Sequence, residues 1–111
     1  MKLYKQAKQH LLLAHPELRG ESLRVLAYLE TASEWHNLLP AASETAAALN
    51  LLASNVSRAY TELSRCGFIV KIGNRYHLSP MIAWTGTDKE WDSFCRVLYE
   101  NREQYSTKLL T

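Results

Sequence analysis

The stretch SNVSRAYTELSRCGFIVKIGNRYHLSP, Ser54 to Pro80, changes its apolar period half-way along. In its first half Val56, Ala59, Tyr60, Leu63 and Cys66 recur close to i, i+3, i+4, i+7, the spacing of a helix with one buried face. Gly67 is a good stop for that helix, because glycine enters the left-handed conformation of a helix end without a Cβ clash. The opposite face then carries Ser54, Asn55, Ser57, Arg58, Thr61 and Arg65. In the second half FIVKI sets Phe68, Val70 and Ile72 against Ile69 and Lys71, and RYHLS sets Tyr76 and Leu78 against Arg75 and His77. That two-residue alternation predicts two strands. Gly73-Asn74 between them suits the type II′ turn of a β-hairpin.

Upstream, LYKQAKQHLLLA places Tyr4, Ala7, Lys8, Leu11 and Leu12 near helical spacing, so a helix is expected from Leu3 to Ala14, stopped by Pro16. HPELRG reads as a turn. ESLRVLAYLETAS is a second helix, with Ser22 as its expected cap and Val25, Leu26 and Leu29 as its apolar stripe. In EWHNLLP, Trp35, Leu38 and Leu39 suggest a short extended piece, and SETAAALN is a short alanine-rich helix ending near Asn50. Downstream, TDKEWDSFCRVLYENRE opens with Thr87 and Glu90 as a capping box and repeats Trp91, Phe94, Cys95 and Leu98 on one stripe. The tail QYSTKLLT carries no assignment, and no internal repeat is visible.

A chain of 111 residues fits one domain, expected to span 1–111 with an N-terminal helix in 1–16, a core in 21–80 and a C-terminal helix in 87–103. With 47% apolar and 22% charged residues and no long apolar run, the expectation is a cytoplasmic globular protein with no membrane contact. The net charge is +2, but its basic surplus lies upstream of Thr87, where nine Lys/Arg face six Asp/Glu; beyond it four face five. Cys66 and Cys95 stand alone, and His10, His15, His36 and His77 have no zinc-ligand spacing, so neither metal nor cofactor is expected. No phosphate loop, carboxylate pair or nucleophile–base set is legible, so no enzyme is expected.

Helix, short strand, small helix, turn, helix, hairpin is the order of a winged helix-turn-helix, here mostly α with a small β-hairpin and extra N- and C-terminal helices. In that fold the third helix enters the major groove of duplex DNA and the hairpin flanks it. A groove-reading helix needs one buried face to fix its angle and small polar residues with an arginine on the other. Ser54, Asn55, Ser57, Arg58, Thr61 and Arg65 meet that need. Lys71, Arg75 and, as a third candidate, His77 can supply the hairpin's cations to phosphate or minor groove.

The segment NLLASNVSRAYTELSRCGFIVKIGNRYHLSPMIAWTG resembles the winged-helix part of RepL-type plasmid replication proteins, through its VSRA…EL…GFI core and its LSPMIAWTG end. It departs from them at Asn50-Leu51-Leu52, where such families carry Gly-Ile-Ser and hence a serine cap. The resemblance implies sequence-specific binding of double-stranded DNA in plasmid or mobile-element replication or its control, with a replication-protein partner conceivable. A dimeric transcriptional repressor and a winged-helix module for protein contact are the alternatives. Because a small three-helix core has too little surface to cover both terminal stripes, a homodimer through Tyr4, Leu11, Trp91, Phe94 and Leu98 is expected.

Overall fold

The computed structural model describes residues 1–100. Its elements run β1 (Lys2–Leu3), α1 (Lys5–Ala14), α2 (Glu21–Ala32), a 3-10 turn (Trp35–Asn37), α3 (Ala42–Leu49), α4 (Ala53–Arg65), β2 (Ile69–Ile72), β3 (Arg75–Leu78), β4 (Ala83–Trp84) and α5 (Asp88–Glu100). The chain is mostly helical with a two-stranded hairpin, as its sequence predicts. Positions 101–103 of the expected C-terminal helix, and the tail QYSTKLLT, lie outside the described residues.

Two helix starts differ from expectation. Leu3 is in a strand rather than a helix, because β1 pairs antiparallel with β4 (Lys2 with Trp84, Leu3 with Ala83) and the Tyr4 N–H donates to the Ile82 carbonyl, so α1 begins at Lys5. Ser22 does not cap α2. Gly20, at a φ of +62°, takes the cap position, and Ser22 is buried at the second helical position, its Oγ donating to Glu62 Oε2 at 3.2 Å and so tying α2 to α4.

The core forms where three apolar stripes meet: Val25, Leu26 and Leu29 of α2, Val56, Ala59, Tyr60 and Leu63 of α4, and Phe68, Ile69 and Leu78 around the hairpin. Each large aliphatic side chain fully buried here is worth about 1.5–3 kcal/mol. Alanine-rich α3 packs close to α4, with Ala46 and Thr45 buried between them. Asn50 turns the chain from one helix to the other in the left-handed conformation (φ 55°, ψ 47°). Its N–H donates to the Ala47 carbonyl and the Leu51 N–H to the Ala46 carbonyl, the paired bonds of a Schellman end with asparagine in glycine's place.

In the hairpin Ile69 faces Leu78, Val70 faces His77, Lys71 faces Tyr76 and Ile72 faces Arg75. Opposed residues share a face, so Ile69 and Leu78 form its buried pair, with Tyr76 and Lys71 beside them. The set Phe68, Val70 and Ile72 is therefore not the core face of the hairpin. Phe68 is buried but precedes the strand, and Val70 and Ile72 lie half-buried on the face of His77, whose ring is 5.4 Å from that of Phe94 in α5. The expected extended piece exists at Leu38, which bridges His77, and the Leu39 N–H donates to the Tyr76 carbonyl, so this short segment runs along the free edge of β3. Trp35 is not part of it, being in the 3-10 turn.

That turn places His36 and Asn37 at φ 57° and 63°. Asn37 is wholly buried with its amide saturated: Nδ2 donates to the carbonyls of Leu78 and Ala83 at 2.9 and 2.8 Å, and Oδ1 accepts from the Thr85 N–H at 2.9 Å. One side chain thus joins the end of the hairpin to β4. Asn37→Ala strands two buried carbonyls and the part-buried Thr85 N–H and is expected to lower unfolding free energy by about 2–4 kcal/mol in urea denaturation; a loss below about 0.5 kcal/mol would contradict the role given to Asn37.

The capping box of α5 is present as predicted: the Thr87 N–H donates to Glu90 Oε1 at 2.9 Å and the Glu90 N–H to Thr87 Oγ1 at 3.1 Å. The Thr87 backbone, the Thr87 hydroxyl and the His36 ring, in that order, hold the Glu90 carboxyl down from 4.5 to about 2. Because the folded-state pKa is depressed, the stability Glu90 contributes is complete above pH 4.5 and disappears as the pH falls toward about 2. Urea midpoints of wild type and Glu90→Gln are expected to differ at neutral pH and to converge across that acid window. A constant gap would contradict this account of the cap.

Candidate nucleic-acid interface

The face of α4 opposite its buried stripe is polar along its whole length. Ser54, Ser57, Arg58, Thr61 and Arg65 are exposed, and Asn55 sits half-buried at the flank. At 100° per residue Ser54, Arg58, Thr61 and Arg65 fall within one narrow stripe, directly opposed to Val56, Ala59 and Leu63. The Thr61 hydroxyl donates to the Ser57 carbonyl at 3.1 Å. Neither Arg58 nor Arg65 has a carboxylate partner among the described residues, whereas Lys2, Lys8 and Arg96 pair with Asp88, Glu30 and Asp92. Arg65, in the last turn, also suits the negative end of the helix dipole.

Tyr60 sets the angle of this helix. Its hydroxyl donates to the Pro40 carbonyl at 2.8 Å and lies 2.7 Å from Thr45 Oγ1 of α3, while its ring meets Tyr76 of β3 edge-on at 5.2 Å. Burial pushes the phenol's pKa up, so it stays a donor. The apolar period alone marks Tyr60 as a stripe member and is silent on this second role; a buried tyrosine's need for a partner is the signal that points to it.

The hairpin carries Lys71 and Arg75 on opposite faces, because Lys71 faces Tyr76 whereas Arg75 faces Ile72. The Lys71 ammonium lies 5.5 Å from the centre of the Tyr76 ring, a cation–π arrangement on an exposed strand. Arg75 is exposed and borders a surface hollow together with Glu34 and Glu44. His77 is turned inward: its Nδ1 is 3.0 Å from the His36 carbonyl oxygen, and its ring packs on Phe94.

The residues expected to meet a second copy make contacts within their own chain. Leu11 packs on the core, Tyr4 is half-buried beside the β1–β4 pair, and the Trp91 indole donates to the Pro80 carbonyl at 2.9 Å. Phe94 lies 5.2 Å from Trp84, and Leu98 is half-buried further along α5. Trp84, His36 and His77 form an aromatic layer under α5 that covers part of its stripe, while Tyr4, Leu11, Trp91, Phe94 and Leu98 all remain partly exposed. At the other end of α4 the fold brings His15 and Glu17 to Cys66, a juxtaposition invisible in their spacing along the chain.

No protein-family model, curated protein or solved structure matches this chain.

Trp91→Glu with Phe94→Glu is expected to destabilise the fold by several kcal/mol, of the order of about 3–5 for loss of a large packed aromatic, as read by urea unfolding. A stably folded double variant that sediments as a monomer, from a dimeric wild type, would contradict the intrachain role and support the dimer seam.

Proposed function

We propose that the protein binds double-stranded DNA in the manner of a winged helix-turn-helix, with α4 in the major groove and the β2–β3 hairpin against the neighbouring backbone. The observation that carries this reading is the exposed stripe of Ser54, Ser57, Arg58, Thr61 and Arg65 on a helix whose opposite face is fully buried. Small hydroxyl side chains let the helix axis approach the groove, and an arginine without an acidic partner can fork onto guanine or clamp phosphate. The arrangement around it supports the same reading: α2, the Leu38 segment, α3, α4 and the hairpin follow in the order such a fold requires, with Leu38 on the outer edge of β3. The biological setting proposed is plasmid or mobile-element replication or its control, on the RepL-type resemblance of residues 50–86.

Trp91 and Phe94 make contacts within their own chain and remain partly exposed, so a homodimer through the terminal helices stays part of the proposal. Two copies on a pseudo-palindrome would read half-sites roughly 10 bp apart; one copy would read a single asymmetric site.

Binding titrations over a range of salt with plasmid-origin, promoter and random duplexes test the proposal. Arg58→Ala is expected to cost about 1–3 kcal/mol on the preferred duplex while leaving stability within about 0.5 kcal/mol of wild type. Lys71→Ala is expected to weaken all duplexes alike and to reduce the salt slope by about one. Undiminished binding by Arg58→Ala, together with an unchanged slope for Lys71→Ala, would overturn the assignment of this surface.

A further inference from the structure

We propose that His15, Glu17 and Cys66 form a binding site for a divalent transition-metal ion of the zinc type, at the C-terminal end of α4. The His15 Nδ1 is 2.9 Å from Glu17 Oε1, Cys66 Sγ is 3.7 Å from that same oxygen, and ligand atoms of the three residues all lie within 4.8 Å of one another. Around a tetrahedral zinc ion, bonds of about 2.3 Å to sulfur and about 2.0–2.2 Å to nitrogen and oxygen put ligand atoms roughly 3.3–3.6 Å apart. Only small side-chain adjustments separate the observed triangle from that one.

The donor set is chemically suited to the ion. One thiolate, one imidazole and one carboxylate select zinc or cobalt(II) over magnesium or calcium, which take oxygen ligands alone. The scaffold holds all three in place. The His15 N–H donates to the Leu12 carbonyl at the end of α1, the Leu18 N–H returns to the His15 carbonyl, and buried Leu18 anchors the loop. Cys66 ends α4, its N–H bonded to the Glu62 carbonyl. The sulfur is almost wholly buried, while the side chains of His15 and Glu17 are 30% and 49% exposed. An ion would enter from the solvent side and keep a fourth position open to water.

Binding exchanges a proton for the metal: the Cys66 S–H bond breaks, the S–M bond forms, and the proton leaves to solvent. Burial raises the Cys66 thiol, with Arg65 opposing that shift and Glu17 and Glu62 adding to it, so the metal-free side chain is a neutral thiol with its hydrogen toward Glu17. His15 places a ring lone pair on the ion, and Glu17 gives up its hydrogen bonds to His15 and Cys66 to become a ligand. The ion thereby ties the α1–α2 loop to the last turn of α4, and metal that binds only the folded chain stabilises it by linkage. None of this requires that α4 bind DNA.

Cobalt(II) titration of the reduced full-length protein is the test, followed by absorbance. The expected result is a one-equivalent rise of thiolate-to-cobalt charge transfer and tetrahedral d–d bands, abolished by added zinc and accompanied by proton release. His15→Ala and Glu17→Gln change solvent-accessible side chains and so keep the fold. Each is expected to weaken binding by more than the roughly 10- to 100-fold that loss of an outer partner costs. Cys95→Ser is expected to bind like wild type and Cys66→Ser to lose the charge-transfer band. Absence of that band at stoichiometric cobalt, its survival in both His15→Ala and Glu17→Gln, or its loss in Cys95→Ser would overturn the site.

Discussion

The Tyr60 hydroxyl, held between the Pro40 carbonyl and Thr45, fixes more of this structure than any other polar group on α4. Left unpaired in the core it would cost about 1–3 kcal/mol, so α4 keeps its hydroxyl at the one place where α3 and the Leu38–Pro40 segment both reach it. The same ring meets Tyr76 edge-on, and so the hairpin is registered against the helix as well. With four apolar residues of α4 buried and that phenol tethered, the helix has no freedom to roll. Its polar stripe is presented outward as a consequence of what the other side must satisfy.

A second polar knot, at Asn37, organises the half of the molecule beyond the hairpin. Its three hydrogen bonds hold the 3-10 turn, the end of β3 and β4 together, and that arrangement places His36 against Trp84 in a near-parallel stack 5.5 Å apart. α5 then lies over the aromatic group, its first turn sealed by Thr87, Glu90 and His36. The hairpin is therefore backed by the helical core at Ile69 and Leu78 on one face and by Phe94 of α5 at His77 on the other. Such a ribbon leaves its tip and its outer edge as the parts able to reach another molecule.

This double coverage explains what could and could not be read from the sequence. The helical period around Val56, Tyr60 and Leu63, the Gly73-Asn74 turn and the Thr87–Glu90 box are local signals whose physics acts over a few residues, and all three stand in the structure. The hairpin's inner face was not legible, because alternation assigns a core side only when the other side is wet, and here Val70 and His77 are sheltered too. The role of Asn37 had no sequence signal, since nothing local reveals three backbone groups arriving from residues 41 to 48 positions away. The contacts of the terminal stripes were not legible for the same reason: Trp84 and β1 supply a surface that only the folded chain assembles. Of the candidate interface, the α4 stripe follows from periodicity alone, whereas the opposition of Lys71 and Arg75 and the inward turn of His77 depend on strand register.

The account's central claim is that the outward stripe of α4 is the surface that meets DNA. Backbone amide shift mapping of the isotope-labelled protein, titrated with a duplex at moderate salt, addresses that claim directly. The account predicts that the largest perturbations fall on residues 54–65, with a second group at 71–75 in the hairpin, and that α5 moves little. Perturbations confined to α1 or α5 with α4 unchanged would contradict it.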